Sequence, residues 1–233
     1  MSECSEGRRV SSDGWAATDA LGRRLCTHVE AGSKRKDKIV AMFYWTWHQG
    51  EGDASCSVRN ITEILRGNPE AMRDYGHPAW GERKPGFFYW EQPLFGYYRT
   101  TDPWVLHKHA EMLADAGVDV VFFDCTNASL TWKESYEALM QTWSQARKDG
   151  VAVPKVAFLL PFKAAPHSLV SLRQLYRDVY QPGLYEELWF IWKGKPLIMA
   201  YPDNLTSSPE DLAIADFFTF RPGQPDYVDG PQR

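Results

Sequence analysis

Asp124 stands at the end of an apolar run and is the side chain best placed for acid–base chemistry. The run from 118 to 124, Val-Asp-Val-Val-Phe-Phe-Asp, is rich in β-branched and aromatic residues and predicts a buried strand. In parallel α/β folds the reactive groups gather beyond the carboxyl ends of the strands. We therefore predict that Asp124 is a catalytic carboxylate. The alternative is a strand-end aspartate that caps the next turn or helix.

Two further carboxylates are candidates to act beside Asp124. Glu91 lies between Trp90 and Tyr98 in an aromatic segment, where loss of solvent would favour its neutral acid form. Asp203 follows a later predicted strand, in a Tyr-Pro-Asp-Asn segment that is equally typical of a turn. We predict Glu91 as a second catalytic residue and Asp203 as a ligand-binding residue.

Aromatic residues are unusually frequent, with 10 Trp, 11 Tyr and 12 Phe making up 14% of the chain. Filling a core is the default explanation for such rings. The alternative is a cleft whose flat apolar rings stack on the C–H face of a sugar. His48, at the end of the first predicted strand, could bond a sugar hydroxyl or merely cap the loop. The predicted ligand-binding residues are Trp45, Trp47, His48, Trp90, Tyr98, Asn127 and Asp203.

Neither a metal nor a cofactor is predicted. His107 and His109 lie two positions apart in a predicted helix, so they point to different faces and are unsuited to joint ligation. A glycine-rich phosphate-binding turn is missing after the first strand, where Trp-Thr-Trp-His stands instead. Cys125 would point away from Asp124 along a strand, as a buried structural thiol. The cysteines, predicted to be free thiols because no pair has metal or redox spacing, are Cys4, Cys26, Cys56 and Cys125.

The charge balance disfavours two classes of partner. Lys plus Arg is 26 and Asp plus Glu is 30 in 233 residues, a net charge of −4, so there is no basic field for nucleic acid or an anionic membrane. The first residues have no apolar core of the kind that a signal peptide needs, so no export signal is predicted. A mature or truncated form of a periplasmic or extracellular protein would also lack an apolar signal-peptide core at its start.

Helical and strand patterns alternate after a polar lead-in over 1–36. Asp102 followed by Pro103 marks a helix start, with a buried stripe predicted to include Trp104. The segment 189–201 is predicted to be either a hairpin or a bent strand. The predicted helices cover 60–66, 102–116, 132–148, 169–180 and 209–215, and the predicted strands cover 37–48, 118–124, 155–160, 196–201 and 216–220.

This alternation predicts right-handed crossovers around a parallel sheet, an α/β fold of the (β/α)8 barrel type. Only about five strands can be counted, so 37–233 is predicted to be the N-terminal part of a barrel truncated after about five strands. Its first and last strands would then present open edges, through which self-association is expected.

Several stretches together carry a resemblance to a known family. The chain resembles the glycoside-hydrolase-like (β/α)8 proteins of bacterial polysaccharide utilisation, which are distantly similar to the endo-mannosidase and α-1,3-glucanase (mutanase) families. The likeness spans about 15–230. The stretches that carry it are Trp-Ala-Ala-Thr-Asp-Ala-Leu-Gly-Arg from 15, Ala-Met-Phe-Tyr-Trp-Thr-Trp-His from 41, Pro-Leu-Phe-Gly-Tyr-Tyr from 93, Trp-Val-Leu-His-Lys-His-Ala from 104, Gly-Val-Asp-Val-Val-Phe-Phe-Asp-Cys-Thr-Asn from 117 and Gly-Lys-Pro-Leu-Ile from 194.

The resemblance implies hydrolysis of an oligo- or polysaccharide by a pair of carboxyl groups. Relatives carry Glu immediately before Pro93, where this chain has Gln92, and Glu91 stands one residue earlier. In the endo-mannosidase relatives the catalytic carboxylates lie late in the barrel, at positions that would fall beyond Arg233. Two hypotheses follow: a glycoside hydrolase, or a carbohydrate-binding or inactive barrel fragment without catalysis.

Overall fold

A computed structural model describes residues 15–33, 35, 37–46, 61–74, 76–81, 93–96, 98–127 and 129–223. Its helices are α1 (His28–Ala31), α2 (Ile61–Gly67), α3 (Pro103–Asp115), α4 (Lys133–Lys148), α5 (Pro166–Leu175) and α6 (Pro209–Phe217). Its strands are β1 (Ala41–Tyr44), β2 (Val120–Asp124), β3 (Lys155–Leu159), β4 (Ile191–Trp192), β5 (Lys195–Met199) and β6 (Thr219–Arg221).

Five strands are parallel and lie side by side in the order β1, β2, β3, β5, β6. This order follows the chain without reversal, as in a (β/α) barrel, whereas a doubly wound sheet reverses its order at a switch point. The predicted α/β fold with a partial barrel arrangement is confirmed. Among the described residues β1 pairs on one side only, with β2. Self-association through open edges stays a prediction.

The segment left open as hairpin or bent strand is a hairpin. Strand β4 runs antiparallel to β5, with Ile191 opposite Pro196. The two residues between the strands, Lys193 and Gly194, have φ of 54° and 84°. Positive φ at both central positions is the requirement of a tight hairpin turn whose twist matches the strands.

The two faces of the parallel sheet pack against different groups of side chains. Val121, Phe123 and Cys125 point from β2 into the large core shared with the helices, so we call this side the helix face. Alternation along the strand puts Val120 and Phe122 on the opposite side, the inner face. The helix-face core also contains Leu106, Ala110, Tyr136, Leu139, Met140, Trp143, Val156, Phe158, Leu172, Leu175, Ile198 and Ile214.

The amino-terminal end of the inner face is filled by the hairpin. The rings of Phe190 and Trp192 stack with centroids 6.0 Å apart. They pack against Val120, Ala157 and Leu197, which are all buried. Since β4 pairs with the first residues of β5, this apolar cluster occupies one end of the inner face and leaves the carboxyl end to other side chains.

Helix α3 starts where the capping residues predict, but the prediction of which of its residues are buried was partly wrong. The carboxylate of Asp102 accepts hydrogen bonds from the amides of Trp104 and Val105, at 2.9 and 3.1 Å. Trp104 is 56% exposed, whereas Leu106 is buried. The reason is that Trp143 of α4 fills the helix interface, where its indole N–H donates to the Leu106 carbonyl at 2.9 Å.

Several boundaries differ from the predicted ones. The first strand is shorter than predicted, and 47–48 lie outside the described residues. The helix predicted over 169–180 begins at Pro166, and its last turn, Tyr176–Tyr180, is π-helical. Helix α6 runs to Phe217, so the last strand begins at Thr219 and reaches Arg221. Of the predicted lead-in, the described residues 15–33 and 35 include the short helix α1, and the domain boundary stays a prediction.

No helix in the described part of the chain is long and apolar enough to span a membrane.

A buried ion pair ties α5 to α6. The side chain of Asp211 is fully buried and accepts from Nε and Nη2 of Arg173 at 2.8 and 2.7 Å. The amide and hydroxyl of Thr206 donate to the same carboxylate at 2.7 and 2.6 Å. These donors, Arg173 first, hold the pKa of Asp211 well below its usual value although burial opposes them.

We predict that Asp211→Asn lowers the free energy of unfolding at pH 7 by about 2 kcal/mol, because it leaves Arg173 without its buried counter-charge. The pKa of Asp211 is lowered from 3.8, so its stabilising contribution is present above about pH 4 and is lost as the pH falls further. Urea unfolding of both proteins from pH 7 to pH 3 measures the difference.

Asp216→Asn is the matched control, since Asp216 lies on the same helix but its side chain is 90% exposed in its pair with Lys195. Little change is expected from it. Equal stability of wild type and Asp211→Asn at pH 7 would contradict the role given to the buried pair.

Candidate functional site

Asp124 lies at the carboxyl tip of β2, on the inner face. Its neighbours Phe123 and Cys125 belong to the helix-face core, and alternation therefore places the Asp124 side chain on the other side. The residue is 4% exposed. Its Oδ1 accepts from the Thr126 amide at 2.9 Å, while no described residue donates to Oδ2. One carboxylate oxygen thus caps the turn, as the alternative interpretation predicted, and the other is not used by the turn.

An exposed indole follows β1 at the level of Asp124. Trp45 directly follows Tyr44, whose Cα is paired with that of Phe123, so the Trp45 backbone reaches the level of Asp124. Tyr44 packs on the helix-face core, and Trp45 is 60% exposed. Because side chains alternate along a strand, this burial difference indicates that Trp45 lies on the inner-face side, as Asp124 does.

The strand tips carry a row of four inner-face residues. Cα pairing joins Asp124 to Leu159, Leu159 to Met199, and Met199 to Arg221. We call these four the carboxyl-edge row: it is apolar in the middle and charged at both ends. Arg221 was missed because the last strand was predicted to end at 220. Two-residue alternation continued one residue further would have identified it.

Tyr98 belongs to a cluster beneath β1. Its ring meets the His109 ring edge-on with centroids 5.8 Å apart, and Nδ1 of His109 lies 2.8 Å from the Tyr44 hydroxyl oxygen. Burial raises the pKa of Tyr98, and burial and then the neighbouring Tyr98 raise the pKa of Tyr44. Both phenols therefore stay neutral well above physiological pH. The ligand-binding role of Tyr98 stays a prediction.

Two buried oxygens near the strand tips lack hydrogen-bond partners among the described residues. They are Oδ1 of Asn127, three residues beyond Asp124, and Oγ1 of Thr46, which follows Trp45. The carbonyl of Thr46, by contrast, accepts from the Thr100 hydroxyl at 3.2 Å. A buried polar atom without a partner costs free energy, so each oxygen is a candidate for contact with a bound hydroxyl.

The remaining predicted residues fall into two groups. Asp203 is exposed on a short 3-10 helix of one turn, Pro202–Asn204, beyond the end of β5. Its ligand-binding role stays a prediction. Four predicted residues lie outside the described part of the chain: Glu91, Trp47, His48 and Trp90.

Cys125 is a structural thiol, as its position after Asp124 predicted. It is buried in the helix-face core, and its Sγ donates to the Thr131 carbonyl at 3.3 Å. Burial, and then the charge of Asp124, raise the pKa of the thiol well above its ordinary value. A neutral, enclosed thiol of this kind is a poor nucleophile. Within the described residues Cys26 is also free, and it is exposed.

Comparisons with known proteins give distant matches among solved structures. No family model matches the chain, and no curated protein does. Fourteen chains of solved structures match. They include two structures of the GH99 endo-alpha-mannosidase from Bacteroides thetaiotaomicron, both 20% identical, with TM-scores of 0.39 and 0.41. The matches cover 68% of this chain and 40% and 43% of those chains. At this similarity they assign neither a family nor a substrate to this chain.

We predict that Asn127→Ala leaves the melting temperature unchanged or slightly raised, because the side-chain oxygen that it removes has no described partner to lose. Thr100→Val should lower stability by about 1 kcal/mol, since it deletes a hydrogen bond to the Thr46 carbonyl. Thermal and urea unfolding of both variants make the comparison. Destabilisation by Asn127→Ala as large as that by Thr100→Val would mean that Asn127 is a structural residue.

Proposed function

We propose that this chain forms part of a glycoside-hydrolase-like barrel that binds an oligo- or polysaccharide and acts on it by carboxylate acid–base hydrolysis. The observation that carries the proposal is that the exposed Trp45, which follows β1, is placed by strand register at the level of Asp124 at the carboxyl edge. The carboxyl edge is the end of a parallel sheet where catalytic groups of barrel enzymes collect.

Each member of the pair supplies a different interaction. An indole face offers a flat apolar surface on which the C–H side of a sugar ring packs, and this packing fixes the plane of the ring. A carboxyl group beside it accepts hydrogen bonds from hydroxyls when ionised and, when protonated, can donate a proton to the glycosidic oxygen. The partnerless oxygens of Asn127 and Thr46 add polar contacts close to the same strand tips.

Hydrolysis requires a second carboxyl group, about 5 Å away for retention or about 6.5–9.5 Å away for inversion of the anomeric centre. Among the described residues Asp124 is the single carboxylate of the carboxyl-edge row. Glu91 is the proposed partner, because it follows Trp90 in the aromatic segment that precedes α3.

A second candidate function is carbohydrate binding without hydrolysis. One specific observation favours it: Asp124 is 4% exposed, and one of its oxygens is engaged by the Thr126 amide. A carboxylate held in this way can orient a sugar hydroxyl without transferring a proton. Turnover of a bound glycan separates the two candidates.

We predict that Asp124→Asn reduces the release of reducing ends from a susceptible polysaccharide at least about 100-fold, because an amide cannot exchange a proton at the glycosidic oxygen. The measurement is a reducing-end screen over a panel of polysaccharides. Asp149→Asn is the control, since Asp149 is an exposed aspartate after α4, remote in sequence from every strand tip.

Three outcomes are distinct. Loss of turnover in Asp124→Asn alone supports the hydrolase, and equal turnover in both variants removes Asp124 from the mechanism. Binding of a glycan by calorimetry without any turnover in the wild type supports the second candidate function.

We predict that Trp45→Ala weakens glycan binding about tenfold, because the sugar loses its stacking surface. Trp104→Ala is a matched control: Trp104 is 56% exposed, like Trp45 at 60%, but it lies on α3 against the ring of Phe95. Affinities follow from calorimetric titration of the glycan found in the screen. Equal weakening by the two substitutions would show that Trp45 is not specific to the site.

A further inference from the structure

Arg221 occupies the end of the carboxyl-edge row opposite to Asp124. Its Cα is paired with that of Met199, and its carbonyl accepts from the Ala200 amide at 2.9 Å. The preceding residue, Phe220, packs against the helix-face core. Alternation therefore places the Arg221 guanidinium on the inner face, as it does Asp124.

Arg221 is half-buried, and its guanidinium forms no ion pair within the described part of the chain. Two other described arginines, Arg173 and Arg177, each bind a carboxylate of α6. Its neighbours along the row are Met199 and then Leu159, and neither side chain is a strong hydrogen-bond acceptor. A guanidinium presents a planar fork of N–H donors suited to a carboxylate or a sulfate.

The backbone just beyond Arg221 adds a second observation. A Cβ built on Gly223 would stand 2.6 Å from Cδ1 of Leu159 and 3.2 Å from Cδ1 of Phe162. The chain thus passes close to the Leu159 and Phe162 side chains, which would have to shift to admit a larger residue at 223. Phe162, just past the end of β3, is 45% exposed. An exposed ring therefore lies against the segment that directly follows Arg221.

We propose that Arg221 selects an anionic glycan, one that carries a carboxylate or a sulfate, with Phe162 packing on the sugar that bears the anion. This inference rests on the proposed function and names its substrate class. Three strand spacings separate Asp124 from Arg221, about 14 Å along a flat sheet and less when the sheet curves. The anionic sugar would accordingly lie in a subsite apart from the bond that Asp124 attacks.

The experiment is a binding comparison on the full chain with dextran, dextran sulfate and polygalacturonate, using wild type, Arg221→Met, Arg221→Lys and Arg147→Met. Arg147 is exposed on α4 and serves as the charge-matched control. We expect wild type to bind an anionic glycan at least about tenfold more tightly than dextran, and Arg221→Met to abolish this preference. Arg221→Lys should retain part of it, and Arg147→Met all of it. The net charge of −4 opposes unspecific attraction of polyanions.

The two anionic glycans distinguish sulfate from carboxylate as the preferred group, and circular dichroism verifies that the variants are folded. If Arg221→Met keeps the wild-type preference, or if wild type binds dextran as tightly as both anionic glycans, the selection by Arg221 is wrong while the proposed function stands. If wild type neither binds nor cleaves any glycan, neutral or anionic, the proposed function fails and this inference fails with it.

Discussion

The register of β2 between its two neighbours is the constraint on which the site depends. Val121, Phe123 and Cys125 fill the core beneath the helices, so the alternate residues, ending in Asp124, must face the other way. A slip of one residue would turn the apolar set outward and bury the carboxylate among the helices. The free energy of packing the helix-face core therefore also determines where Asp124 lies.

The two ends of the inner face carry different kinds of side chain. At the amino end, the hairpin supplies Phe190 and Trp192 to an apolar cluster with Val120. At the carboxyl end the row begins with Asp124 and ends with Arg221, and exposed rings stand nearby. Met199 of the row also packs against the apolar cluster, so the two ends meet at β5. In barrel folds generally, stability and catalytic residues concentrate at opposite ends of the strands, which lets one frame carry different chemistries.

Local chemistry allowed much of this fold to be predicted. Asp102 before Pro103 marked the start of α3, because capping and proline geometry act within a few residues. The β2 run and its terminal Asp124 were evident from composition and alternation. Features set by tertiary packing were less accessible: Trp104 was assigned to the buried stripe, but Trp143 from another helix fills that interface instead.

The site was predictable in part for the same reason. The strand-tip position of Asp124 follows from its own strand, whereas its burial depends on what packs around the tip. Arg221 could be found only with the correct carboxyl end of the last strand, one residue beyond the predicted end at 220, whereas the length of α6 sets only where that strand begins. The alternation rule assigns Arg221 to a face once the strand boundary is known, and helix boundaries are the least certain feature of a sequence pattern.

The most direct test of the central claim is to map glycan contacts on the chain by NMR chemical-shift perturbation with an oligosaccharide that binds. The account predicts that the largest shifts fall on backbone amides at the strand tips, at Trp45, Asp124 and Asn127, with little change in the hairpin around Trp192. Shifts concentrated on the hairpin or on the outer helices, with the strand tips unchanged, would contradict it.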